Sequence, residues 1–409
     1  MSEYNLTRYL YARDEVELSF IAAILLRKGV DECYYWGYEL HYSGFDVFPI
    51  MWKIYYDFYF VSNPGLETLI RHKEKMWERN KKLHYLAATI SNLVNAPSSG
   101  EVFIMRQYIE RVLISESGCG FAERGFIARG RPPAWCGDYD SKYIPLLRSI
   151  DKCRYREIAY HTYYLLAGAA GAGGAAGAGG AGGAGGAGGA GGAGGAALFV
   201  VLIKYFAVAN KCKCVDREEE CLASYEKFAA RMGGKIRLYH WFMAIIVHLL
   251  KGGDKVAPPV YIYDKTILDS IRAGHEEAAI PLKGDRSYNT LKCKRGYGVV
   301  RFMGGFVLAR DGLVEEGRLR EEALGRWEHY IWNTPCWRER LLAYSANEKV
   351  EFENDDLLEE FYDAFGYEPD EQSAETQAQT IGEVEGDWFQ TVFNEGPCIN
   401  FGENIRFIY

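Results

Sequence analysis

No stretch of this sequence stays apolar for long enough to cross a bilayer. The best candidates are 197–209, thirteen residues with Lys204 inside, and 236–250, fifteen residues containing Arg237, His240 and His248. A spanning helix needs roughly 20 apolar residues, so both read as core helices and no membrane span is expected. The opening Met1-Ser2-Glu3-Tyr4 lacks the basic and apolar regions of a secretory signal. The ten Cys are scattered, several in apolar or aromatic runs, which suits reduced thiols in an unsecreted chain. Basic charge is nearly missing from the C-terminal segment: residues 346–409 hold 2 Lys and Arg against 17 Asp and Glu. Such a block is a solvated face or meets a basic surface, and 198–345, with 24 basic against 18 acidic residues, is the basic surface at hand.

Standard catalytic and nucleotide motifs are missing as well. No G-x-S-x-G is present, which excludes the nucleophile elbow of the α/β-hydrolases. Gly296-Tyr-Gly298 lacks the third glycine of a dinucleotide fingerprint because Arg301 stands there, and Gly233-Gly234-Lys235 lacks the earlier glycine of a P-loop because Ala229 stands there. No cofactor is expected. Cys212, Cys214 and Cys221 with His240 form a weak zinc set, since C-x-C spacing is poor and His240 lies in an apolar helical run. His240 and His248 are eight residues apart, about 80° on a helix, and cannot make a zinc-protease pair; buried core histidines are the plainer reading.

What is plentiful is aromatic: 30 Tyr, 21 Phe and 9 Trp. Glycine, at 45, is plentiful in one place only. Residues 167–197 are unbroken Gly and Ala, and outside them glycine returns to about 7%, an ordinary level. With no Pro the tract is not collagen, and its glycine disfavours a helix, so it predicts a flexible tether between two helices.

The remaining chain predicts a mainly α protein. Residues 1–166 read as a multi-helix bundle or short solenoid. The first helix follows Asp14, which has capping-box spacing to Glu17, and stops at Gly29; Asp31 caps the second, which ends at Gly44. Further helices are expected at about 48–61, 64–80, 82–95, 101–115, 142–149 and 152–166. Residues 198–345 predict helices at 198–210, 218–231, 235–251, 318–332 and 337–344. They also predict a small β element within 258–309, with strands at 258–263, 297–302 and 306–309, giving an α+β C-terminal part. Residues 346–409 form the acidic segment, with a helix at 355–365 and a docking end.

Two surfaces are candidates for binding. Tyr35, Tyr38 and Tyr42 share a helical face, and Tyr55 and Tyr59 repeat the pattern one helix later; such stripes are core or a partner surface. Lys292, Lys294, Arg295 and Arg301, interleaved with aromatics, and the loop cluster Arg124, Arg129 and Arg131 suit nucleic-acid contact, or else a sheet with its rings inward.

Several words occur together: Leu6-Thr-Arg-Tyr-Leu-Tyr, Tyr35-Trp-Gly-Tyr-Glu-Leu-His-Tyr-Ser-Gly-Phe45, Lys53-Ile-Tyr-Tyr-Asp-Phe-Tyr59 before Asn63-Pro64, Asn333-Thr-Pro-Cys-Trp-Arg-Glu-Arg340, and Phe361-Tyr362 with Gly366-Tyr-Glu-Pro-Asp-Glu-Gln372. They resemble a family of uncharacterised proteins from large double-stranded DNA viruses of algae and amoebae. The Gly/Ala tract departs from that pattern as an insertion. The resemblance implies a setting in the host cytoplasm or viral factory, or the virion, with other viral proteins as partners; it implies no catalytic residues. The expectation is a non-enzymatic interaction or scaffold protein, including use as a minor virion component. The alternatives are a nucleic-acid-associated factor with an acidic regulatory tail, and an enzyme of unrecognised type.

Overall fold

The computed structural model describes residues 5–110, 137–170, 190–209, 225–226, 236–252, 261–277, 297–300 and 326–365. Among these the chain is mainly helical, with thirteen α-helices and one isolated antiparallel bridge, Leu6 to Ala12. Residues 261–263 and 297–300 carry no strand, so the expected small β element is not found there; its other residues lie outside the described ones. The chain forms two compact units, each assembled from separated stretches. Residues 1–51, 68–96 and 259–406 make the first, and 52–67, 97–258 and 407–409 the second, so residues 1–166 contribute to both.

The first unit is built on α1 (Arg13–Leu25), α2 (Val30–Tyr42) and α5 (His84–Asn95), with α11 (Lys265–Glu277) against α2. The α1 stripe Val16, Phe20, Ala23 and Ile24 is wholly buried, as its helical spacing predicts. Gly37 lets α2 approach its neighbours closely: a Cβ there would stand 3.0 Å from Ile90 Cδ1 and 3.3 Å from Phe20 Cε2. The helix ends differ from expectation. Ala12, not Asp14, is the N-cap of α1; the Asp14 carboxylate accepts from the Glu15 N–H at 2.8 Å, and Glu17 pairs with Arg13 instead of closing a capping box. Gly29 does not end α1, which stops at Leu25. It caps α2 at φ +137°, where a side chain would be 2.5 Å from Asp31 Oδ1.

The same unit takes in the C-terminal helices α12 (Pro335–Ala343) and α13 (Asp355–Phe365). The Leu6 N–H donates to Tyr330 O at 2.8 Å, Thr334 Oγ1 to Leu6 O at 2.5 Å and Trp337 Nε1 to Thr7 O at 3.2 Å. Gly44, at φ +93°, lies so near Pro335 that a Cβ would be 2.5 Å from Pro335 Cβ. Trp327, Trp337, Tyr344, Phe361 and Phe365 interlock as an aromatic core. Asp355, Asp356, Glu359 and Glu360 remain exposed, so the described start of the acidic segment is an amphipathic helix with a solvated outer face. The expected helix ending at Trp332 is, in its described part, a 3₁₀ turn, Trp327–Tyr330.

The second unit gathers α6 (Glu101–Tyr108), α7 (Ile144–Asp151), α8 (Tyr155–Ala170), α9 (Ala190–Ala209) and α10 (Leu238–Leu250). Helix α10 packs on α6, α8 and α9. It is apolar nearly all round, and Phe242, Met243, Ala244, Ile246 and Val247 are fully buried. Helices α3 (Phe48–Ile54) and α4 (Leu66–Asn80) each run across a unit boundary. Helix α3 continues into a π turn, Tyr55–Tyr59, all five residues of which are buried. The Gly/Ala tract is not loop throughout. Helix α8 runs into it to Ala170 and α9 starts within it at Ala190, where Gly195 sits against Tyr225: a Cβ would be 2.1 Å from the Tyr225 hydroxyl. No helix is long and apolar enough to cross a membrane among the described residues.

Candidate functional site

The sequence Tyr55-Tyr56-Asp57-Phe58-Tyr59 forces one carboxylate into an aromatic run, and the π turn buries it. π turns widen a helix by one residue and recur at functional positions. Arg106 of α6 meets Asp57 with a fork: Nε donates to Oδ1 at 2.8 Å and Nη2 to Oδ2 at 2.7 Å. From α10, His240 Nε2 stands 2.9 Å from Asp57 Oδ1, out of line for a straight hydrogen bond. The Asp57, Arg106 and His240 side chains are only 3–4% exposed. Arg106 Nη1 also reaches Glu110, whose Oε1 accepts from the Tyr239 hydroxyl at 3.3 Å. The Tyr56 ring meets His240 edge-on at 6.0 Å.

Burial pushes the Asp57 carboxyl upward, but Arg106 and then His240 outweigh it and hold the group below the usual carboxylate range. Burial likewise opposes the Arg106 charge, and Asp57 and Glu110 keep it protonated. Burial, then Glu110, raises the Tyr239 phenol. A His–Asp pair is half of a general-base relay. Here, however, the forked guanidinium occupies both carboxylate oxygens, and the cluster ties the π turn to α6 and α10.

A second buried cluster serves the first unit. Glu39 of α2 accepts from the Tyr9 N–H at 2.9 Å and lies 3.9 Å from Arg8. Ser43 Oγ accepts from the Arg8 N–H at 2.8 Å and donates to Glu39 O at 2.6 Å. Arg8 stacks over Tyr9 and Tyr42, and Arg340 over Trp337. Burial pushes the Cys336 thiol up to about 11, against the opposing pull of Arg340. A third polar contact, at Asn92 of α5, grips the backbone of Tyr261.

Sequence reasoning found His240 but neither partner. Asp57 carried the one available signal, as a lone acid inside 48–61, and Arg106 is a lone cation among Val102, Phe103, Ile104 and Met105. His248 is a contact of the same unit, its Nδ1 2.8 Å from Val61 O. Tyr35, Tyr38, Tyr55 and Tyr59 are buried and Tyr42 is half-buried. The four buried rings thus serve the core, and Tyr42 keeps part of its ring at the surface. Cys212, Cys214, Cys221, Arg124, Arg129, Arg131, Lys292, Lys294, Arg295 and Arg301 lie outside the described residues. Among the described residues, no group of three or more His, Cys, Asp or Glu side chains could hold a metal ion. No protein-family model, curated protein or solved structure matches the chain.

Proposed function

We propose that this is a non-enzymatic interaction or scaffold protein of a large DNA virus, working in the host cytoplasm or viral factory, or in the virion as a minor component. The observation that carries the reading is the state of Asp57. Among the described residues its pairing with His240 is the arrangement closest to catalytic chemistry, yet both its oxygens are committed to Arg106 and its side chain is 3% exposed. The strongest electrostatics are thus spent on holding helices together, which suits a rigid framework for other proteins. The viral setting rests on the words at both ends of the chain. Affinity purification from infected cells, with and without nuclease, tests the proposal. Protein partners that survive nuclease treatment are the expected result. Recovery of nucleic-acid-dependent material alone would overturn it in favour of the nucleic-acid reading.

A further inference from the structure

Residues 261–264 cross the first unit as a strap held mainly by its backbone. One carboxamide makes both clamping bonds: Asn92 Nδ2 donates to Tyr261 O at 2.9 Å, and Oδ1 accepts from the Tyr261 N–H at 3.0 Å. The N–H and C=O of one residue point to the same side in extended backbone, so this double bond marks Tyr261 as extended. The clamp is pre-set. Asn92 is 2% exposed, and Nδ2 also donates to Ala88 O one turn back at 2.7 Å, which fixes the rotamer.

Two further contacts follow along the strap. The Tyr263 ring stacks on His84, with centroids 5.8 Å apart and planes 19° apart. The Tyr34 hydroxyl, 2.6 Å from Ser91 Oγ, lies close to the Asp264 backbone. The other side chains of the strap face outward: Ile262 is 86% exposed and Tyr261 is exposed, while the exposed Asp264 carboxylate caps the start of α11. Backbone bonds supply affinity and a side-chain contact at alternate positions supplies selectivity, which is the chemistry of extended-peptide recognition. A strap burying so little apolar surface belongs to the low-stability end of a fold.

We infer that α2 and α5 form a recognition groove for an extended peptide of a protein partner, bearing an aromatic side chain two residues after the clamped position. The chain's own residues 261–264 occupy that groove at rest. This rests on the interaction-protein reading and names the kind of partner. A tethered occupant competes at an effective concentration on the order of millimolar, so a partner gains entry when the strap is loosened.

The test uses the full chain and a fluorescent, acetylated hexapeptide of residues 261–266. Tyr261→Pro removes the N–H that Asn92 accepts and weakens the strap. That variant is expected to bind the hexapeptide at least about tenfold more tightly than the wild type. Adding Asn92→Ala is expected to abolish the gain. If Tyr261→Pro does not fold, as judged by circular dichroism, Tyr263→Ala strips the ring from His84 and allows the same comparison. No gain over wild type, or an equal gain with Asn92→Ala present, would overturn the groove. Nuclease-resistant partners from infected cells would then leave the interaction reading standing without it.

Discussion

Asp57→Asn is the sharpest probe of the second unit. The substitution keeps the shape and one acceptor but deletes the charge that Arg106 grips through both oxygens. With the pair only 3% exposed on each side, water cannot take over the stranded guanidinium. Breaking a buried pair by removing one partner costs about 3–5 kcal/mol. The retained acceptor and the remaining Glu110 contact put the expected loss near the lower end, about 3 kcal/mol. Glu110→Gln is the control: Glu110 is 34% exposed, and a pair so open to solvent is worth at most about 1 kcal/mol. Adding Arg106→Met to Asp57→Asn removes the uncompensated cation, so the double variant should be no less stable than the single one. Native-state hydrogen exchange is the assay, because it reads α6 and α10 apart from α2 and α5. The effect also has a pH signature. The folded carboxyl titrates below its unfolded value, so its stabilisation is fully present above about pH 4–5 and is lost as pH falls further. The gap between wild type and Asp57→Asn should therefore close in acid. A loss under about 1 kcal/mol, or equal losses for Asp57→Asn and Glu110→Gln, would refute the account of the buried pair.

Three other outcomes are expected. Gly195→Val should destabilise the second unit by about 1–3 kcal/mol because its Cβ would collide with Tyr225, whereas trimming 171–189 to four residues should change stability by only about 1 kcal/mol; thermal melts of both variants decide this. Gly44→Ala combines a positive φ with a Cβ only 2.5 Å from Pro335, and a loss of about 1–3 kcal/mol is expected by urea denaturation. At pH 8, peptide mapping after brief alkylation should find exposed Cys153 modified, while Cys33 and Cys336, whose thiols burial pushes upward, react only in denaturant.

Helical periodicity carries far in this chain. The stripe of α1, the run of α10 and the acidic α13 are legible because each is an uninterrupted local pattern. Helix α11 escaped because the residues before it, Tyr261-Ile-Tyr263, alternate like a strand. The signal against that lay one residue further on. The Asp264 carboxylate accepts from the Thr266 and Ile267 N–H groups at 2.8 and 3.0 Å, a helix-start arrangement. The start of α9 within the Gly/Ala tract defeated propensity through tertiary contact, since glycine at 195 is what Tyr225 packs against. The Asp57 cluster was not legible as a site. Its three members stand at 57, 106 and 240, and only the fold brings them together. The tyrosine words were legible as chemistry but open as to direction; Tyr35, Tyr38, Tyr55 and Tyr59 turn inward, while Tyr42 stays half-buried.

The bond from Leu6 to Tyr330 and the seat of Trp337 on Thr7 bear on the order in which the protein is made. The second unit has all its described stretches once residue 252 has emerged, but the first needs α12 and α13, which end at Phe365. At about 5–20 residues per second, Leu6 and Thr7 wait on the order of 15–60 seconds for the residues that bond them. During that interval Leu6, Thr7 and Ser43 lack the bonds they make to residues 330–337, the stage at which a nascent chain is most open to chaperones or to premature pairing. A chain cut short before residue 326 would never leave that stage. Release of the finished C-terminal helices, rather than formation of the N-terminal ones, is thus the event that commits the first unit to its native state.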